Sequence, residues 1–345
     1  MSQEKSEIIR PVSLADNQFI DEKTGVAMLP SLINPEDELN FKIKRNWFVH
    51  GYPTILGSVK KIRHYEIFDQ FNNVLTKLNF QEQYWLQFIG MFKSVQKLQL
   101  KREARLFPQL VSENDLDDCL NHLFMNGLIM KWSYYHPIDE TEIPVYTLTG
   151  NGYRLLINFY NTHYFHPQNF FNLNDRYHLR FWETLDVYQL LISLPAYRRS
   201  STWFQGDPKN KKRILPSPLQ VNLELNEGKP KNLIFYPTLY NDNKDFYKDV
   251  VLRWNKFTDQ GQSLNTPVND LPVGQNVLAF YVPTIERASE LNDYLKLYTW
   301  AFPTLFLVGF EITTQGLPQA FYLPDRQTQG LRQYSFPNLL RGDAN

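Results

Sequence analysis

Apolar residues at Ile67, Phe71, Val74, Leu75 and Leu78 recur at helical spacing, so YEIFDQFNNVLTKL is predicted as a helix. QEQYWLQFIGMF repeats the pattern. LQLKREARLF follows, and after a break at Pro108 comes SENDLDDCLNHLFMN, with Leu116, Cys119, Leu120 and Leu123 on its inward face. Ser112 is placed to cap this last helix, with Asp115 completing an acidic variant of a capping box. Gly127 is placed to end it. The spacing then changes. LIMKWSYY and IPVYTLT read as two strands around a polar, acidic break, and a helix begins behind Gly150 and Gly152.

Helices closed by such a hairpin have the order of a winged helix-turn-helix, here over residues 65–157. An aromatic-rich connector, 158–174, comes next and is expected to be packed. From Asp175 the elements alternate. A helix, NDRYHLRFWETLDVYQLLISL, precedes three strands, STWFQ, LQVNLEL and NLIFYPTLY. The helix DFYKDVVLRWNKF, the strand NVLAFYVP, the helix TIERASELNDYLKLYTWA and the strands TLFLVGFEI and QAFYLP complete residues 175–325. This is an α/β domain with restriction-endonuclease-like element order, and the chain as a whole is expected to be α+β. Residues 1–64 are expected to form an arm, loosely ordered or partner-docked over its first 40 or so residues, and 326–345 a tail.

Composition sharpens this picture in three respects. With 345 residues and 43% apolar content, two cores can be buried. Lys+Arg and Asp+Glu are both 36, so a nucleic-acid partner must be held by local patches. Cys119 is the only cysteine, which excludes an internal disulfide and fits a reducing compartment. The N-terminus has no apolar core of a signal peptide, and the uncharged run Leu297 to Phe310, broken by Pro303, is too short for a bilayer; a cytoplasmic protein without membrane contact is expected.

A nuclease site on the second domain would need an acid on one strand and an acid–x–Lys set on the next, on one face, to hold Mg²⁺. Glu227-Gly228-Lys229 lies in a Gly/Pro turn, Asp207 lies in a loop, and NLIFYPTLY contains no acid. No catalysis is therefore expected. His163, His166 and His178 lack a spacing that completes a metal site, and no nucleotide or hydrolase fingerprint occurs, so no cofactor is expected.

Binding remains. The helix before the hairpin should enter a DNA groove, yet it presents Glu113, Asn114, Asp117, Asp118 and Asn121, and phosphates repel its carboxylates. Asp117 and Asp118 suit a basic protein partner instead. The preceding segment carries Lys93, Lys97, Lys101, Arg102 and Arg105 against Glu103. Residues 41–64 hold six Lys/Arg, among them Lys60, Lys61 and Arg63, and no acid. A third basic stretch holds Arg198, Arg199, Lys209, Lys211, Lys212 and Arg213 against Asp207. These are the candidate phosphate contacts. If they act so, Lys101→Ala/Arg102→Ala should weaken DNA binding, and Asp117→Asn/Asp118→Asn should leave it equal or tighter.

The segment LIMKW…VYTLTGNGYRLL, followed by this α/β order, resembles the replication-relaxation-type winged-helix proteins of Gram-positive plasmids and conjugative elements. The resemblance covers roughly residues 66–325. It implies a DNA-binding accessory or regulatory protein in plasmid replication or transfer, with DNA and other replication or transfer proteins as partners. Family members carry acids on the central strands of an endonuclease-like domain; here LQVNLEL and NLIFYPTLY keep only Glu224. A protein-interaction scaffold and a divergent metal-dependent nuclease are the competing expectations.

Overall fold

The structure, a computed structural model, describes residues 11–12, 20–21, 25, 33–44, 65–137, 140–160, 174–202, 215–224, 230–259, 271–336 and 339. It is a mixed α/β protein. In the N-terminal half, α1 (Pro35–Asn40), α2 (Phe68–Leu75) and α3 (Phe80–Phe92) precede a short strand, β1 (Ser94–Gln96). Then come α4 (Lys97–Leu106), α5 (Leu116–Met125), the strands β2 (Ile129–Tyr135) and β3 (Glu142–Leu148), and α6 (Gly150–Phe159). The strands form one antiparallel sheet in the order β1-β3-β2.

Local chemistry explains the boundaries. Asn79 accepts from Glu82 N at 2.8 Å and Glu82 accepts from Asn79 N at 2.9 Å, a reciprocal cap that starts α3. Gly127 has φ +68°, the left-handed turn that ends a helix and feeds β2. A Cβ on Gly152 would lie 2.1 Å from the Leu128 carbonyl oxygen, so only glycine lets α6 approach the hairpin this closely. Ser112 Oγ accepts from the Asn114 N–H at 3.2 Å, so it caps the turn that leads into the helix rather than the helix itself. The Ser112 N–H is held by Gln81 at 2.7 Å and a turn intervenes, so α5 begins at Leu116 with Asp115 preceding it.

In the second half α7 (Arg176–Ile192) leads into β4 (Tyr197–Ser201), β5 (Leu219–Glu224) and β6 (Pro230–Pro237). After these come α8 (Lys244–Asp259), β7 (Gln275–Val282), α9 (Ile285–Leu295), β8 (Thr304–Val308), α10 (Gly309–Gln315), β9 (Phe321–Pro324) and β10 (Leu331–Gln333). All seven strands form one sheet in sequence order, parallel through β6-β7-β8 and antiparallel elsewhere. Strand alternation gives the sheet two apolar faces. Ile234, Tyr236, Leu278, Phe280 and Phe306 pack under α8 and α9. Leu233, Phe235, Ala279, Leu305 and Leu307 pack with Val187, Leu190 and Leu191 of α7 and Ile312 of α10.

Two expected strands differ and one strand is added. The first is YRRSS rather than STWFQ, of which residues 203–205 lie outside the described residues. The β8 ladder stops at Val282–Val308, because Pro283 has no N–H to extend it, and the residues GFEITTQ turn into α10. β10 extends the sheet into the expected tail.

The two halves share a helix. Leu185 of α7 belongs to the core around α2, α3 and α5, while Val187, Leu190 and Leu191 belong to the sheet core. Leu179 and Trp182 join a third cluster with Phe41, Ile43, Trp132, Tyr134 and Leu239. Part of the expected loose arm is thus built in. Residues 33–44 cross both halves: Ile33, Phe41 and Ile43 are buried, and Lys44 forms a two-way backbone bridge to Ser133 at 2.7 and 3.0 Å. Most of the aromatic connector, 161–173, lies outside the described residues.

Candidate interaction surfaces and a buried ionic cluster

The basic and acidic segments singled out in the sequence face each other. Lys97 of α4 pairs with Asp117 of α5 at 2.6 Å. Arg105 grips Glu113 through two nitrogens, at 2.7 and 3.2 Å. Lys101 pairs with Asp21, a residue buried to 1% exposure. The Lys93 ammonium lies 5.5 Å from the Phe181 ring centre, and burial pushes its pKa down. Arg102 is 4% exposed, which corrects its assignment as a phosphate contact: it is inside the protein.

Arg102 lies beside a buried network between α4 and α7, coupled to its acids by charge rather than by a hydrogen bond among the described residues. Gln99 donates to Asp186 at 3.0 Å, Gln189 donates to Glu103 at 2.8 Å, and the Tyr84 hydroxyl donates to the same carboxylate at 2.8 Å. Burial pushes both acids up, Glu103 to about 7 and Asp186 to about 7, although the Arg102 charge pulls each down. Burial also holds Glu183, on the same helix, well above the carboxylate range.

These shifts fix a pH dependence. Folding raises the two carboxyl pKa values from about 4.5 and 3.8 to about 7 each. Their contribution to stability is therefore full below about pH 4 and is lost as pH rises to about 7. Glu103→Gln removes one titrating group, and Gln189 Oε1, without a hydrogen-bond partner among the described residues, can accept from the new amide. Denaturation at pH 5 and pH 8 should show a smaller stability loss in the variant than in the parent, by on the order of 1–3 kcal/mol. An unchanged difference would mean that Glu103 does not titrate in this range.

The α5 surface stays acidic. Asn114, Asp115, Asp117, Asp118 and Asn121 are exposed, and α5 contains no Lys or Arg. Asp117 keeps 61% side-chain exposure despite its pairing. Cys119 lies on the inward face, and burial raises its thiol to about 11, consistent with a packing role.

Other expected contacts are scattered. Arg198 lies in β4, not in a loop, and pairs with Glu224 at 2.8 Å; Arg199 is exposed on the same strand. Lys60, Lys61, Arg63, Lys209, Lys211, Lys212 and Arg213 lie outside the described residues, as do Asp207, Glu227, Lys229, His163 and His166. His178 is buried against Ser94 at 2.7 Å. Among the described residues no group of three His, Cys, Asp or Glu is placed to hold a metal, and no helix is long and apolar enough to cross a membrane.

On the described strands β5 and β6, Glu224 is the only carboxylate and Lys231 the only cation. Lys231 pairs with Leu223 in the ladder, so alternation sets it on the opposite face from Glu224. The inner row on the Glu224 face is made of amides. Asn222 donates to Asn232 at 2.7 Å and Asn232 to Asn276 at 3.1 Å, across three strands.

Sequence reasoning missed Glu38, which is 0% exposed. Its carboxylate accepts from the backbone N–H groups of Tyr240 at 2.7 Å and Asn241 at 2.9 Å, and from Arg176 at 2.9 Å. No local signal could have found partners 138 to 203 residues away. Compared with protein-family models, curated proteins and solved structures, the chain matches none.

Proposed function

We propose that the chain is a non-catalytic binding protein whose acidic α5 face docks a basic protein partner. The observation that carries this is the fate of the α4 cations. Lys97, Lys101 and Arg105 are neutralised by acids of the same chain and Arg102 is internal, while Asp115 and Asp118 at the start of α5 stay exposed with no cation paired to them among the described residues. A phosphate backbone would meet repulsion there, whereas a cationic surface would gain ion pairs and steering.

The architecture we infer is a winged helix-turn-helix followed by an endonuclease-like α/β domain. The order α3-β1-α4-α5-β2-β3, with β1 paired to β3, supports the first part. The order α7-β4-β5-β6-α8-β7 supports the second. In this frame α5 is the helix that other winged helices present to a ligand. The resemblance to replication-relaxation proteins supports plasmid replication or transfer as the setting, with the partner among the proteins of that process. The absence of an acid–Lys pair on one face of β5 and β6 supports a role without hydrolysis.

DNA binding is the second reading. It is favoured by the acid-free basic run over 41–64 and by Lys211, Lys212 and Arg213. The pair Lys97→Ala/Arg105→Ala separates the two. Both pairs are half-buried at the surface, where ion pairs contribute modestly to stability, so the variant should fold. Unmasking Asp117 and Glu113 should tighten binding of a lysine-rich peptide by roughly two- to fivefold at low salt and leave duplex binding unchanged. Weaker duplex binding with an unchanged peptide affinity would return α4 to the role of phosphate contact.

A further inference from the structure

We propose that the turn after β6, together with Arg176 and Arg180 of α7, is a site for a phosphate group, and that Glu38 is its intramolecular occupant. The inference is independent of the role assigned to α5. Tyr240 and Asn241 are successive residues, and their N–H groups converge on one carboxylate, at 2.7 and 2.9 Å. Successive main-chain donors of this kind make an anion-binding concavity. The Arg176 guanidinium adds a third donor at 2.9 Å. The turn stands at the carboxyl end of β6, and Thr238 N–H ties it to Tyr281 O of β7 at 2.8 Å. The carboxyl ends of parallel strands are where open α/β sheets take ligands.

The occupant comes from elsewhere in the chain, on a helix of six residues. The guanidinium that holds it keeps a donor unused, and two neighbouring residues do likewise. Arg176 Nε, Arg180 Nε and Thr238 Oγ1 are buried without a hydrogen-bond partner among the described residues. A carboxylate has two oxygens, whereas a phosphate monoester has three terminal ones, so the donor surplus favours phosphate. The charge balance agrees. Asp242 is committed to Arg180 at 2.6 Å and to Leu239 N at 2.8 Å. With Glu38 withdrawn, the Arg176 and Arg180 guanidinium groups both face Asp242, at 3.9 and 2.6 Å, and burial pushes the nearby Glu183 carboxyl well above the usual carboxylate range.

The test uses the full chain with Glu38→Ala. Inorganic phosphate, compared with chloride at equal ionic strength, should raise the variant's melting temperature by roughly 2–5 °C at saturation. It should have a smaller effect on the parent, whose own carboxylate competes. Glu38→Ala/Arg176→Ala should lose the response. A deoxynucleoside 5′-monophosphate and a 5′-phosphorylated oligonucleotide are the parallel arms. An equal response to all three assigns the site to the phosphate group itself, and a stronger response to the oligonucleotide assigns it to a nucleic-acid end. If the alanine variant fails to fold, Glu38→Gln keeps the side-chain shape and removes the charge. Phosphate should then speed hydrogen exchange over residues 33–44. No phosphate-specific change in either variant would overturn the proposal and leave Glu38 as a permanent structural clasp.

Discussion

Replacing Arg102 with alanine should lower stability by roughly 3–5 kcal/mol and leave any DNA affinity per folded molecule unchanged. Arg102 is 4% exposed and is the cation that pulls down the pKa values of both Glu103 and Asp186. Removing it strands two carboxyls that cannot reach water. They would take up protons to escape the penalty, so the loss should be smaller near pH 5 than at pH 8. Lys101→Ala makes an informative companion. Its partner Asp21 is buried, so that variant should also lose stability rather than binding. Chemical denaturation checks both, and normal stability with weakened duplex binding would place these side chains on the surface after all.

The second large effect is expected at Trp182. Its ring is 0% exposed, meets Phe41 edge-on at 5.6 Å and Tyr134 at 4.9 Å, and its indole N–H reaches Ser94 Oγ at 3.2 Å. Trp182→Ala should cost roughly 3–5 kcal/mol through the cavity and the lost contacts. Because α7 contributes to the cores of both halves, the chain should melt in one transition, earlier than the parent. Two separated transitions, with the seven-stranded sheet unaffected, would show that the halves fold independently.

The elements most legible in the sequence were those whose signals are local. The hairpin was readable because Gly127 supplies the left-handed turn and the strands 129–135 and 142–148 lie beside it in sequence. The α2 and α3 segments declared themselves by apolar spacing. The strand-to-helix switch at Gly309 did not, because TLFLVGFEI is apolar from Leu305 to Phe310 without a break and the end of its ladder is set by Pro283 after another strand. Charge was the hardest feature to interpret. Lys97, Lys101 and Arg105 form a basic run in one dimension, but Asp117, Asp21 and Glu113 neutralise them from 20, 80 and 8 residues away. The Glu38 cradle depends on partners even more distant, with nothing in either segment to announce it.

The acidic face of α5 is where the account is most directly exposed to test. The measurement is fluorescence anisotropy of a labelled lysine-rich peptide, titrated with the parent and with Asp117→Asn/Asp118→Asn across a range of salt. Both side chains are exposed, so the variant should fold as the parent does. The account predicts weaker peptide binding in the variant with a shallower dependence on salt, because two carboxylates have left the contact. Unchanged peptide binding, together with loss of duplex binding, would contradict it and make α5 a reader of bases.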